Sequence, residues 1–140
     1  MNYVKSRTLF GKPLSDSQGI RWKLADMYRD IEAARGILHR ACATANPFPD
    51  AFLAAVAKTV CNEMSNRVTS EAIQVHGGYG FTDEYPVSRF YRGARYGTLG
   101  GGATETLKDL IGKRIVEGLQ PVDDLLGYDL QDISQVNAAE

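Results

Sequence analysis

Two long helical patterns separated by a single break constrain this chain more than any other feature. Ile20, Leu24, Met27, Ile31, Ala34, Leu38 and Ala41 recur at alternating intervals of four and three residues, the repeat of one apolar stripe on an α-helix. Asn46-Pro47-Phe48-Pro49-Asp50 ends that run, because the residue before a proline is pushed out of the helical region. A second run, from about Ala51 to Val75, carries Phe52, Val56, Val60, Met64, Val68, Ala72 and Val75, with Ala54, Ala55 and Ala57 small enough for close approach. Two such runs joined by a short break predict a long antiparallel helical hairpin. Apolar residues on more than one face of the second run place it between neighbours rather than at an edge. Ser15-Asp16-Ser17 offers N-cap residues to the first helix. Arg21, Lys23, Arg29, Arg35 and Arg40 fall off the seam and are expected mostly in solvent.

Shorter elements follow. His76-Gly77-Gly78-Tyr79-Gly80 stops the second helix, and a third starts at Pro86, with Val87, Phe90, Tyr91 and Ala94 apolar and Arg89, Arg92 and Arg95 between them. Gly97-Thr98-Leu99-Gly100-Gly101-Gly102 opens a fourth helix holding Leu107, Leu110, Ile111 and Ile115. Eight of the 14 glycines lie between residues 77 and 102. No strand-like alternation competes, so the expected fold is all-α, an up-and-down bundle of about four helices. The length of 140 residues suits one domain able to bury its own core. That domain is expected over residues 1–119, followed by an acidic tail over 120–140 that could dock as a short helix or stay mobile. All five acidic groups of the tail (Asp123, Asp124, Asp129, Asp132 and Glu140) lack a basic neighbour there, while the first 120 residues carry 16 basic and 12 acidic groups. A basic body reads either as an ordinary solvated surface or as a weak preference for an anion such as a pyrophosphate.

Composition excludes several classes. No apolar run approaches the ~18 residues of a membrane span, and Met1-Asn2-Tyr3-Val4-Lys5 lacks the apolar core of a signal peptide. Cys42 and Cys61 are too few for a disulfide scaffold and read as buried thiols in a reducing compartment. With only His39 and His76 beside them, no metal cluster can be assembled. A formal charge of −1 argues against a nucleic-acid binder.

Three segments could carry chemistry. Arg7-Thr8-Leu9-Phe10-Gly11-Lys12-Pro13-Leu14, with Gln18 beyond it, is a basic, aromatic and glycine-bearing turn that could clamp a phosphate or a planar ring; a structural turn before a helix would look similar. In Gln74-Val75-His76-Gly77-Gly78-Tyr79-Gly80, amides freed at the glycines could meet a ligand's acceptors and Gln74 can donate and accept. A plain helix C-cap with a packed His76 has the same composition. Gly100-Gly101-Gly102-Ala103-Thr104-Glu105 opens a helix whose free N–H groups suit an anion or an electron-rich ring edge. It lacks the Lys-Ser/Thr ending of a P-loop, and no strand precedes it. Glu105 would be an ordinary first-turn carboxylate.

In order and spacing, these segments resemble the C-terminal helical domain of the acyl-CoA dehydrogenase family. The likeness runs through Arg7–Leu14 to Gln18, then Ala25-Asp26-Met27, and is most specific in Ala72-Ile73-Gln74-Val75-His76-Gly77-Gly78-Tyr79-Gly80-Phe81-Thr82. It continues in Tyr85-Pro86-Val87-Ser88-Arg89-Phe90-Tyr91-Arg92 and Gly100–Glu105, covering about residues 2–119. The resemblance implies an FAD-dependent oxidoreductase of fatty-acid metabolism that converts acyl-CoA to its trans-2-enoyl form and passes electrons to an electron-transferring flavoprotein. By position it implies Arg7 at the FAD pyrophosphate, Phe10 packed by the cofactor and Gln18 near its adenosine part. Gln74, Gly77 and Gly78 would contact FAD held by a neighbouring subunit, and Ala103 and Glu105 match cofactor positions at the start of the last helix. A homo-oligomer, dimer or tetramer, is implied as well, in the bacterial cytoplasm or the mitochondrial matrix.

The chain departs from the family in two ways. Many members have a Tyr-Glu pair, its glutamate the catalytic base, where this chain has Gly100-Gly101; Gly101 cannot take a proton. Some relatives share that glycine and place the base on the preceding helix, which would fall just before Met1. Whole members are also nearly three times as long, with an N-terminal helical domain and a middle β-domain. The expectation is therefore a fragment or subunit inactive alone. A non-catalytic oligomerisation or partner subunit, or a fragment of a flavin monooxygenase of the same fold, is the alternative.

Overall fold

A computed structural model describes residues 2–118; the acidic tail expected at 120–140 lies outside them. Its elements are α1 (Asn2–Ser6), β1 (Thr8–Leu9), β2 (Lys12–Pro13), a single 3-10 turn (Leu14–Asp16), α2 (Gln18–Ala43), α3 (Ala51–His76), α4 (Gly78–Phe81), α5 (Val87–Gly97) and α6 (Thr104–Val116). The four expected helices are α2, α3, α5 and α6; α1 and α4 are one-turn additions.

The hairpin of α2 and α3 forms as the two stripes require. Its closed end is pinned by side chains from the break. Thr44 Oγ1 donates to Ala41 O (2.7 Å) and accepts from Asp50 N (2.9 Å). Asp50 Oδ1 accepts from Leu53 N (2.8 Å), capping α3. Just inside, Ala41, Leu53 and Ala57 are buried together with Ile37 and Phe52 against them. The alanines expected to permit close approach do so, since Ala55 and Ala57 are buried. The stripe on α2 is rotated slightly from the expected one: Ile37 packs inward, and Leu38 remains 45% exposed. Farther along, Lys23 pairs with Glu71, and Arg67 Nε donates to Asp30 Oδ2 at 2.8 Å.

Packed on one side by α2, α3 meets α5 and α6 on the other, the between-neighbours position its two apolar faces called for. Its far contact is polar: Asn66 Nδ2 donates to Ala94 O (3.0 Å) and Asn62 Nδ2 to Gly97 O (2.6 Å).

Three expectations need correction. The segment Thr8–Pro13 is a small antiparallel hairpin, pairing Thr8 with Pro13 and Leu9 with Lys12. At its tip Phe10 and Gly11 have φ of 52° and 77°, the positive pair that a two-residue hairpin turn needs. Two residues per strand are too few to show alternation, which is why the pattern missed it. Ser17 stands at the N-terminus of α2 without a side-chain cap. Instead Arg21 Nη1 closes the preceding turn by donating to Ser15 O and Asp16 O, at 3.1 and 2.7 Å. Finally, Cys42 is exposed and only Cys61 is half-buried. Burial pushes the Cys61 thiol above its usual range.

Candidate functional site

The C-terminal end of α3 is where the sequence-predicted residues converge. Gly77 ends the helix at φ 60° and ψ −142°, a backbone region open essentially to glycine. The chain then folds back at once into α4, and this reversal also requires Gly80: a Cβ there would fall 2.6 Å from Ile73 O. At Gly77 and Gly78, in contrast, an added Cβ meets nothing within 4 Å. Their backbone faces open space.

That space is a cavity of about 720 Å³ whose lining includes Arg7, Leu14, Gln74, Gly77, Gly78 and Tyr79. Its floor is aromatic. Tyr3 stacks on His76 at 4.3 Å between ring centroids, and Tyr85, outside the lining, meets Tyr3 edge-on at 5.3 Å. The Tyr3 hydroxyl donates to His76 O (3.0 Å). His76 Nδ1 lies 2.7 Å from Ala72 O; since a carbonyl can only accept, Nδ1 carries the proton. His76 is therefore a packed and satisfied residue. Arg7 reaches the cavity from the junction of α1 and β1 and lies over Tyr79, 5.5 Å from the ring centroid, a cation–π distance. No carboxylate among the described residues is in ion-pair range of Arg7. Glu84 belongs to the same lining, outside ion-pair range of Arg7.

The other candidates lie elsewhere. Phe10 projects from the tip of the β-hairpin, 95% exposed, and Gln18 opens α2 as an exposed residue. Neither lines the cavity. Ala103 and Glu105 begin α6. Glu105 lines a separate polar cleft of about 510 Å³ with Arg95, Thr104 and Lys108 among its walls. Within that cleft, Glu63 holds the Lys108 ammonium at 2.5 Å and raises its pKa from the ordinary lysine value. Gly101 sits in the turn before α6 at φ 64°. Sequence reasoning missed the aromatic floor, because Tyr3 lies 73 positions from His76. Among the described residues no group of three or more His, Cys, Asp or Glu side chains could hold a metal ion, and no helix is long and apolar enough to cross a membrane.

A helical domain thus brings a cation, a side-chain amide and a bare glycine backbone together around one cavity. The comparisons make the class specific. Residues 1–116 match the family described as acyl-CoA dehydrogenase, C-terminal domain, and the chain belongs to that family. It is 44% identical over 106 residues to the short-chain-specific acyl-CoA dehydrogenase of Megasphaera elsdenii, covering 75% of this chain and 28% of that protein. It is 40% identical over 108 residues to 3-sulfinopropanoyl-CoA desulfinase of Paraburkholderia xenovorans, covering 77% of this chain and 28% of that one. The solved structure of butyryl-CoA dehydrogenase from Megasphaera elsdenii superposes with a TM-score of 0.78 at 41% identity, over 82% of this chain and 30% of that chain. The chain thus spans under a third of the length of these relatives.

Proposed function

We infer that this chain is the C-terminal domain, over residues 1–119, of an FAD-dependent acyl-CoA dehydrogenase. In this reading it supplies FAD contacts and the oligomer interface for oxidation of an acyl-CoA to its enoyl form. The observation that carries the reading is the convergence of Arg7, Gln74, Gly77 and Gly78 on one cavity.

The residues present suit the cofactor. Arg7, with no carboxylate among the described residues in ion-pair range, would neutralise a pyrophosphate, and charge-assisted hydrogen bonds of this kind are among the stronger polar contacts. Gln74 offers both donors and an acceptor. Gly77 and Gly78 leave their backbone open, so a ligand can approach the main chain without meeting a side chain. Phe10 would serve by packing its exposed ring on a cofactor held against a second subunit. Gln18, Ala103 and Glu105 keep the positional roles the resemblance implies. FAD would supply the acceptor for the electrons leaving the acyl group, with an electron-transferring flavoprotein as their next carrier. The exposed rings of Phe10, Phe48, Phe81 and Tyr96 support burial against another subunit or domain, and bacterial relatives support a cytoplasmic setting.

Gly101 gives the domain no base at the turn before α6, so proton removal would fall to a group outside this chain. The isolated chain should not reduce an electron acceptor with any acyl-CoA. Co-expression with the part of the Megasphaera elsdenii dehydrogenase that precedes the matched region should give a yellow complex retaining FAD through gel filtration. A colourless mixture of separate species would overturn the reading. Turnover by that complex would exclude the second reading, a non-catalytic partner subunit, which the bare Gly101 also supports.

A further inference from the structure

Lys58, Asn62 and Asn66 stand four residues apart on α3, so they share one helix face. Each donates to a main-chain carbonyl of α5 or of the turn that follows it. Asn66 takes Ala94 O and Asn62 takes Gly97 O. Lys58 Nζ takes two, Gly100 O at 2.9 Å and Gly102 O at 2.6 Å. It is the charged rung of this ladder, and no carboxylate among the described residues pairs with it.

The turn it holds has no side chain of its own. Gly101 and Gly102 lie at φ of 64° and 98°, with the carbonyls on either side of Gly101 both reaching the ammonium. A Cβ on Gly101 would come 3.7 Å from Lys58 Cε, so even the bare side of the turn is backed by the lysine stem. On Gly100 an added Cβ would meet the ring of Tyr96 at 2.6–2.8 Å. The ring, itself 70% exposed, fills the volume that a residue at position 100 would occupy. Two residues outside the turn thus determine what three glycines cannot.

We propose that Lys58 is the positioning residue of the Gly100–Gly102 turn, and that the Tyr96 ring takes the place of a side chain on Gly100 as the turn's outward wall. This deepens the dehydrogenase reading and rests on it for its functional meaning: there the turn faces the acyl group, which would pass Tyr96 rather than a side chain from the turn.

The test uses the full chain, labelled for NMR, with no flavin and no acyl-CoA present. Lys58→Met keeps the stem and removes the donors; Lys58→Arg keeps donors. The Thr104 amide, which donates to Thr98 O at 3.1 Å, should exchange faster by about tenfold in Lys58→Met, as expected for loss of a charge-assisted clamp. Exchange at Leu53 and Ala57 should not change, and Lys58→Arg should restore most of the protection. Gly100 α-protons should carry a ring-current shift from the neighbouring Tyr96 ring, keep that shift in Tyr96→Phe and lose it in Tyr96→Leu. Unaltered exchange in Lys58→Met, an arginine variant no better than methionine, or a Gly100 shift indifferent to Tyr96→Leu would each overturn the proposal. A colourless co-expression product would sink the flavin reading and leave these signals untouched, so the two failures are distinguishable.

Discussion

The two ends of the α2–α3 hairpin are built on opposite terms. At the closed end Asp50 and Thr44 satisfy the local backbone and Ala41, Leu53 and Ala57 are buried together, beneath a connecting segment whose own residues, Phe48 among them, are exposed. At the open end the helix stops on a glycine that leaves its backbone bare, beside an arginine that no carboxylate among the described residues pairs with. The comparison separates what makes the domain fold from what makes it useful. Packing at one end can hold the helix rigid while the backbone at the other end stays uncovered by side chains.

The largest expected effect comes from breaking the closed end. Leu53 is 3% exposed among Ala41, Ala57, Ile37 and Phe52. Leu53→Ala should cost about 2–5 kcal/mol of stability, read by urea denaturation, and it should weaken ligand binding only through unfolding. Next, the open end contains its own contrast in two neighbouring glycines. Gly80→Ala drives a methyl into Ile73 O and should cost about 1–3 kcal/mol. Gly78→Ala meets nothing and should stay within about 0.5 kcal/mol of the parent, lowering ligand affinity instead. Arg7→Ala should leave the melting temperature nearly unchanged and weaken FAD binding about tenfold, the scale of one charge-assisted contact.

The smallest effect tests the middle of the hairpin. The Arg67 guanidinium hydrogen-bonded to Asp30 holds that carboxyl below its ordinary value of 3.8. A lowered folded-state pKa favours the folded chain above the unfolded value, and that contribution disappears as pH falls through the folded one. Stability should therefore decline slightly more steeply below about pH 4 in the parent than in Asp30→Asn, measured by thermal melts across pH. Arg67 is exposed while Asp30 is half-buried, and solvent screening at the arginine should keep the difference small.

The hairpin was legible because its signal is periodic and local. Seven apolar positions at helical spacing place α2 on α3, and Pro47 and Pro49 mark the reversal. Arg7, Gln74, Gly77 and Gly78 were legible as separate segments and as a family pattern. Their convergence on one cavity was not, because Tyr3 and His76, which join the two segments, are distant in sequence and carry no spacing rule. The ladder of Lys58, Asn62 and Asn66 escaped for a different reason. Polar residues four apart on an otherwise apolar helix read as its solvated side, whereas here they satisfy the carbonyls where α5 ends. The β-hairpin was hidden by its brevity, and the exposure of Cys42 by its place beyond the rotated α2 seam.

The central claim is that the open end of the hairpin is a flavin phosphate contact held ready by packing elsewhere. The most direct measurement is a titration of the labelled chain with millimolar FAD, followed by amide chemical shifts, in the parent and in Arg7→Ala. The account predicts weak binding, with shift changes concentrated at Arg7, Gln74, Gly77, Gly78 and Tyr79, and strongly reduced changes in the variant. An unshifted cavity, or shifts centred elsewhere and indifferent to Arg7, would contradict it.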